Sequence, residues 1–499
     1  MKHLWIMSTI MLFYMNAAFS NTNNFLERFG RNPQLTAKEL PEKTGSRMSS
    51  LFSSSVIKTR DFVIAKDEFR QRVLCAGVKA GEPCHSNLQF NLLEKLDEDK
   101  NLKSFIGESY EANIFKLSLF NEGLVESLPW SGHYWPIYQG GIGARYGDPK
   151  FPNSESFKVN YKYFKASFLK PPGSKTEDLA RLSPAEKYDL ILGDDNWNMT
   201  RSVWADGSEM LKENGKVETW MGICHGWAPA AISMLEPKKT FDINLPNGKG
   251  LLRLFPHDIK ALVSQFWATA EFNYEVLGGR CNNKNPKADE NGRIISPECF
   301  DINPATWHLA LTHLVGRDHK SFILDAIYDY EVWNQPIVSY KLEYFNPINL
   351  NHGKIEESIV EIKNMKKDPY QKYRSSEVRY LVGVIAHIKY IVEEDPQQIE
   401  RISDPISRQV SVSYFYDLEL DLNHNIIGGE WYQQAHPDML WKPAIGSLAK
   451  LKGEEKIEDW DGNLPIPIAI YNLGIYASSH KMPLFKILDK FVEWAQDQR

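Results

Sequence analysis

Three segments toward the end of the chain constrain its fold more than anything else in it. Tyr380–Val392 and Val410–Asp421 are rich in Val, Ile and Tyr, and Ile426–Tyr432 can return on the second as a hairpin partner. Strands joined by tight returns pair antiparallel, and such a sheet buries a face against another layer. Helical spacing supplies that layer. After Gly222, the residues Ala228, Ala231, Ile232 and Met234 share one helical face, and Pro483–Gln496 repeats the pattern as a terminal helix. At 499 residues, 42% hydrophobic and 24% charged, the chain is globular and long enough for a large core or several domains. The reading is α+β.

The two ends read differently from the middle. Lys2 and His3 precede an apolar stretch from Leu4 to Tyr14, and Ala18-Phe19-Ser20 offers small residues for cleavage, so residues 1–20 read as a secretory signal. That stretch is too short to span a bilayer, so no stable membrane insertion is expected. The mature protein is expected outside the cell, or in the periplasm if the source is bacterial. Residues 21–115 are polar and rich in Lys and Glu, with helical periods at Asp67–Leu74 and Leu88–Leu102; they read as an N-terminal helical lobe or a propeptide-like region. Residues 116–450 carry the motifs and are expected to form the catalytic domain, leaving 451–499 as a C-terminal tail and helix. A net charge of -6 provides no basic face, so nucleic acid is not an expected partner.

Cysteine arithmetic points to chemistry. There are five: Cys75, Cys84, Cys224, Cys281 and Cys299. In an exported chain Cys75 with Cys84 and Cys281 with Cys299 are the natural local disulfides, which leaves Cys224 over. Either Cys224 is an inert buried residue or its reactivity is used. Gly222 permits a sharp turn into the following helix, whose first turn is expected to hold Pro229. Cys224 then sits at a helix start, where backbone N–H groups and the helix dipole favour a thiolate and can hold an oxyanion. This context resembles papain-like enzymes and animal transglutaminases, in which a Trp also lies close to the nucleophile.

A base is sought in the run from Asn303 to Ile327. His225 adjoins Cys224, but helical neighbours point about 100° apart, which makes it a poor base. Residues 308–315 and 321–327 read as a hairpin around Gly316-Arg317. In a strand His308 and His313 face opposite sides, and an odd–even register puts Asp325 on the face of His308. The favoured pair is His308 with Asp325 as its orienter; a one-residue slip makes it His313, and Asp329 and Asn334 are weaker orienters. Without Cys224, each would read as an ordinary buried imidazole or turn-capping carboxylate.

Val332-Trp333-Asn334-Gln335-Pro336, followed by Tyr340-Lys341, resembles the elicitor peptide embedded in oomycete transglutaminases. Thr219–Ala230 resembles that family's nucleophile segment, and Ser127–Ile142, Ser183–Asp189 and Ile426–Trp431 are similar to further stretches of it. Val338 and Ser339 depart from the middle of the oomycete peptide, which puts recognition by plant receptors in doubt. The resemblance implies a papain-like cysteine-enzyme core and a calcium-assisted acyl transferase, with Cys224, His308 and Asp325 as the triad. It also implies protein or peptide glutamine donors and lysine or other primary-amine acceptors. Trp220, Trp227 and Trp307 are candidate substrate-binding walls, with core packing the ordinary alternative.

Calcium would need oxygens, and Asp421, Asn423, Asn425 and Glu430 offer them around a tight bend, as does Gly193-Asp194-Asp195-Asn196. The spacing is not that of an EF-hand, and a hairpin turn explains Asn423 and Asn425 equally well. No organic cofactor is expected. Two other functions fit the same residues: a secreted cysteine peptidase or glutamine deamidase on the same core, and a non-catalytic recognition protein that presents Val332–Pro336.

Overall fold

The structure, a computed structural model, describes residues 42–44, 99–107, 111–168, 173, 175–279, 302–326, 331–403, 408–433, 436–444 and 449–496, together with Leu26, Arg28 and Arg31. The expected signal, the helical period at Asp67–Leu74, most of that at Leu88–Leu102, and Cys75, Cys84, Cys281 and Cys299 lie outside the described residues. The chain divides into two compact units, one of residues 1–128, 275–390 and 409–442, the other of residues 129–274, 391–408 and 443–499. Elements are numbered along the whole chain.

The first unit is built on a sheet. Its order is β1 (Glu42–Thr44), β11 (Gln409–Leu420), β10 (Tyr380–Ile391), β7 (Asn334–Phe345), β6 (Ile323–Asp325), β13 (Met439–Pro443) and β5 (Tyr274–Gly278). Beside that path β12 (Ile426–Trp431) pairs β11, β2 (Glu122–Leu124) and β8 (His352–Gly353) pair β7, and β9 (Val360–Glu361) pairs β10. The three strands expected from the sequence form as read, and β12 returns antiparallel on β11 with Asp417 opposite Glu430. Almost every residue of β10, β11 and β12 is buried, so this part of the sheet is covered on both faces. β10 accordingly runs largely apolar, whereas β11 alternates and buries its polar Ser413, Asp417 and Glu419.

The expected hairpin at 308–327 does not form. Residues 304–317 are helical: α7 (Pro304–Ala310) continues as a seven-residue π-helix, Leu311–Arg317. The start signal was present, since the Asn303 side chain accepts from the Ala305 N–H and Pro304 takes the first helical position. Of the second expected strand Ile323–Asp325 is extended, and it pairs with Asn334–Pro336 of β7 and with β13. Within the expected N-terminal region the described elements include helix α1 (Asp99–Ile106) and strand β1, which pairs with β11.

The second unit is mostly helical: α2 (Phe157–Phe168), α3 (Pro184–Leu192), α4 (Asn198–Asn214), α5 (Cys224–Ser233), α6 (Pro256–Thr269), α8 (Ile468–Ser479) and α9 (Phe485–Trp494), with the hairpin β3 (Phe241–Leu245) and β4 (Gly250–Leu254). Helix α3 opens on a capping box of Ser183 and Glu186 with Pro184 at its first position. A fully buried Lys187–Asp258 pair, 2.6 Å apart, ties α3 to α6. The expected terminal helix forms in this unit: α9 buries Ile487, Leu488 and Phe491, and the Leu484 N–H bonds the Tyr188 hydroxyl at 2.9 Å.

Candidate active site

Helix α5 begins at Cys224, as the sequence predicts, and the thiol is 5% exposed. Ile223 is the N-cap residue, and its carbonyl accepts from the N–H groups of Gly226 and Trp227 at 2.9 and 3.1 Å. The turn into the helix is held from outside by the segment 130–137. The Ile223 N–H donates to the Tyr134 carbonyl at 2.7 Å, and the Ile137 N–H donates to the Met221 carbonyl at 2.9 Å. Gly222 is required there, because a Cβ would meet the Tyr134 carbonyl oxygen. Gly226 is required one turn on: a Cβ would run into the Ser264 carbonyl of α6, so the two helices cross at backbone distance.

Pro229 does not sit in the first turn. It is the sixth residue of α5 and so lacks an N–H where the helix would use one. His225 is exposed at the second position of α5.

The histidines of α7 belong to the other unit, and their surroundings differ. His308 is fully buried; its Nδ1 meets the Tyr416 hydroxyl at 3.0 Å, and its Nε2 has no hydrogen-bond partner among the described residues. Burial, with the charge of His313 added, pushes its pKa down to about 3, so it is neutral. His308 and Asp325 are not hydrogen-bonded to each other, since Tyr416 takes the nitrogen an orienting carboxylate would need. His313 has both ring nitrogens engaged, Nδ1–H donating to the Leu309 carbonyl at 2.8 Å and Nε2 accepting from the Glu111 N–H at 2.9 Å.

Asp325 lies at the end of β6 opposite Asn334, and its carbonyl accepts from the Asp438 N–H at 3.1 Å. Two residues before Asp438 is His436, buried and stacked on Trp431 with centroids 4.8 Å apart and planes 7° apart. His436 thus lies two residues from the backbone bond that Asp438 makes to Asp325, and the sequence reading did not single it out. Its signal was His436-Pro437-Asp438 placed directly before a strand. Nothing in the sequence marked Tyr416 except an aromatic residue on β11.

The aromatic walls are corrected in part. Trp227 and Trp307 are completely buried and serve as core, Trp227 donating its Nε1–H to the Trp130 carbonyl at 3.1 Å. Trp220 is half-buried, its Nε1–H on Glu218 at 2.7 Å. The elicitor-like residues Val332, Trp333, Asn334, Gln335 and Pro336 are all buried where β7 begins, with Asn334 accepting from the Trp441 Nε1–H at 2.7 Å.

The candidate calcium oxygens are occupied by the chain itself. The Asp421 carboxylate accepts from the N–H groups of Asn423 and Asn425, both at 2.8 Å, and from the Asn425 side-chain amide. The Asn423 carbonyl accepts from the Asn113 side chain at 2.9 Å. Asp194 likewise caps α4 by accepting from Asn196 and Asn198. These carboxylates serve as turn and cap acceptors, and among the described residues no group of three or more His, Cys, Asp or Glu could hold a metal ion.

The helical unit carries Cys224 at the head of α5, and the sheet unit carries buried histidines on α7. The profile of the transglutaminase elicitor family matches residues 98–450, and the chain belongs to that family. Among solved structures, the GP42 transglutaminase from Phytophthora sojae is similar at 22% identity, covering 76% of this chain and 97% of its own, with a TM-score of 0.49. No curated protein matches the chain. Membership makes the function transglutaminase-type, an acyl transfer. No helix among the described residues is long and apolar enough to cross a membrane.

Proposed function

We propose that the chain is a secreted protein-glutamine gamma-glutamyltransferase whose nucleophile is Cys224. The observation that carries this is the thiol at the first position of α5, inside the region matched by the family. The Cys224 sulfur attacks the side-chain amide carbon of a glutamine, the C–N bond breaks, and ammonia leaves with a proton from the base. The resulting thioester is then attacked by a lysine amine, whose proton returns to the base as the thiolate departs. Water in place of the amine gives glutamate, a deamidation.

His308 with Asp325 is the first proposal for base and orienter. The neutral His308 ring and its unpaired Nε2 support it, while the Tyr416 hydroxyl at Nδ1 makes tyrosine the more direct orienter. A second reading makes His436 the base, favoured by the backbone bond that joins Asp438 to Asp325. Calcium is assigned no residue, since the carboxylates considered for it already accept turn and cap hydrogen bonds. The buried Val332–Pro336 segment supports the enzyme over a protein that displays it for recognition.

Incubation with a glutamine peptide and a fluorescent primary amine tests the reading. Amine incorporation that disappears in Cys224→Ser is expected, whereas peptide-bond cleavage without incorporation would make the chain a peptidase.

A further inference from the structure

Lys260 on α6 is 1% exposed and lies close to no solvent that could share its charge. Its Nζ donates to the Ser131 carbonyl at 2.6 Å, to Glu236 at 2.8 Å and to Glu394 at 2.8 Å, and it stands 5.3 Å over the Trp130 ring. A buried ammonium is retained only with such complete pairing. Glu394 is held in turn by Arg408 at 2.7 Å and approached by His257 at 3.3 Å.

What this hub grips is the segment beside the thiol. Besides the contacts of Lys260 to Trp130 and Ser131, the Glu394 N–H donates to the Gly132 carbonyl at 2.8 Å, and His133 Nδ1–H donates to the Glu394 carbonyl at 3.1 Å. The same segment then reaches the nucleophile turn. The Trp130 carbonyl takes the Trp227 indole N–H at 3.1 Å, the Tyr134 carbonyl takes the Ile223 N–H at 2.7 Å, and the Tyr134 hydroxyl donates to the Thr219 carbonyl at 3.1 Å. The backbone of 130–134 thus has the charged hub on one side and the Cys224 turn on the other.

We propose that Lys260, with Glu236 and Glu394, is a positioning group for the Cys224 thiol, acting through the 130–134 backbone. This rests on the reading of Cys224 as nucleophile. The group touches no substrate; it fixes where the sulfur stands relative to the first N–H groups of α5, and misplacement on the ångström scale costs about a hundredfold in rate.

The test is a Lys260→Met/Glu236→Gln double variant, which removes one charge of each sign and leaves Glu394 with Arg408. Amine incorporation is measured as kcat and KM, and iodoacetamide alkylation of the Cys224 peptide is followed by mass spectrometry across pH. The expected result is kcat lowered about a hundredfold with KM nearly unchanged, a displaced alkylation profile, and recovery of most of the loss in Lys260→Arg. A lower melting temperature with wild-type kcat and alkylation would reduce the hub to a purely structural feature and overturn the proposal. Should the double variant fail to fold by circular dichroism, Trp227→Phe decides, because it breaks the Trp130 link and leaves the hub intact. Loss of kcat and altered alkylation in that variant support the proposal, and wild-type values overturn it. Cys224→Ser is run in parallel. If it still incorporates amine, the nucleophile reading fails; if it is inactive while the Lys260 variants behave as wild type, only the positioning proposal fails.

Discussion

At the level of single residues, the helix start at Cys224 was legible and the helical setting of His308 was not. Cys224 announced itself as the cysteine left over by local pairing, and Gly222 with the helical spacing beyond it located a helix start that the structure reproduces. The base was sought by strand parity, and parity does not apply to a residue in a helix. With His308 on α7, its nearest partner is the Tyr416 hydroxyl from a strand more than a hundred residues later, a contact that no local pattern encodes. The choice of base is testable by parallel His308→Ala and His436→Ala variants. Loss of the base lowers kcat about a hundredfold or more, and the variant that keeps wild-type kcat has its histidine removed from the mechanism. Tyr416→Phe sharpens the outcome. It leaves His308 Nδ1 buried without its hydroxyl, at a cost of about 1–3 kcal/mol in denaturant unfolding. If His308 is the base, kcat falls as well; if the base is His436, stability drops and kcat stays.

Elements were legible in proportion to how much their own sequence decides them. Strands β10, β11 and β12 carry long Val-, Ile- and Tyr-rich runs, and α9 carries an amphipathic period, so all four emerged from the sequence. The run Trp307 to Val315 is apolar without a clear period, because α7 and its π-helical extension are buried on every side. A helix covered all round loses the stripe that betrays it, and only Asn303-Pro304 at its start spoke for helix over strand. The crossing of α5 and α6 is a second element-level feature that depends on one atom. Gly226→Ala places a methyl against the Ser264 carbonyl, and since that neighbour is backbone the helices must separate. Unfolding in urea should show a loss of about 1–3 kcal/mol, as for an overpacked core. Because α5 carries Cys224 at its head, the separation should also slow amine incorporation. A variant of unchanged stability would mean that the helices do not cross this closely in solution.

Across the whole molecule, both units hold carboxylates shifted from their ordinary pKa, and Glu394 and Asp417 are shifted in opposite senses. In the helical unit, burial works against the Glu394 charge, but the imidazole of His257 at 3.3 Å and the charge of Lys260 outweigh it and hold the pKa down at about 2, below the ordinary 4.5. Its stabilisation is therefore fully present above pH 4.5 and is lost as pH falls toward 2, on the order of 3 kcal/mol. In the sheet unit, burial pushes Asp417 up to about 6 from 3.8 even though Arg374 bonds it bidentately at 2.6 Å, with Asp368 and Glu430 adding to the rise. That contribution has the opposite sign: it is complete below pH 3.8 and lost as pH rises through 6. The two windows overlap only between pH 3.8 and 4.5, so a single variant can isolate one of them. Glu394→Gln should lower stability at neutral pH, flatten the decline between pH 4.5 and 2, and leave the slope near pH 6 as it was. Urea midpoints followed by tryptophan fluorescence from pH 2 to 8 measure all three features. If the acid decline persists at full steepness in the variant, other carboxylates govern it, and the Lys260–Glu394 pair does not carry the charge linkage assigned to it.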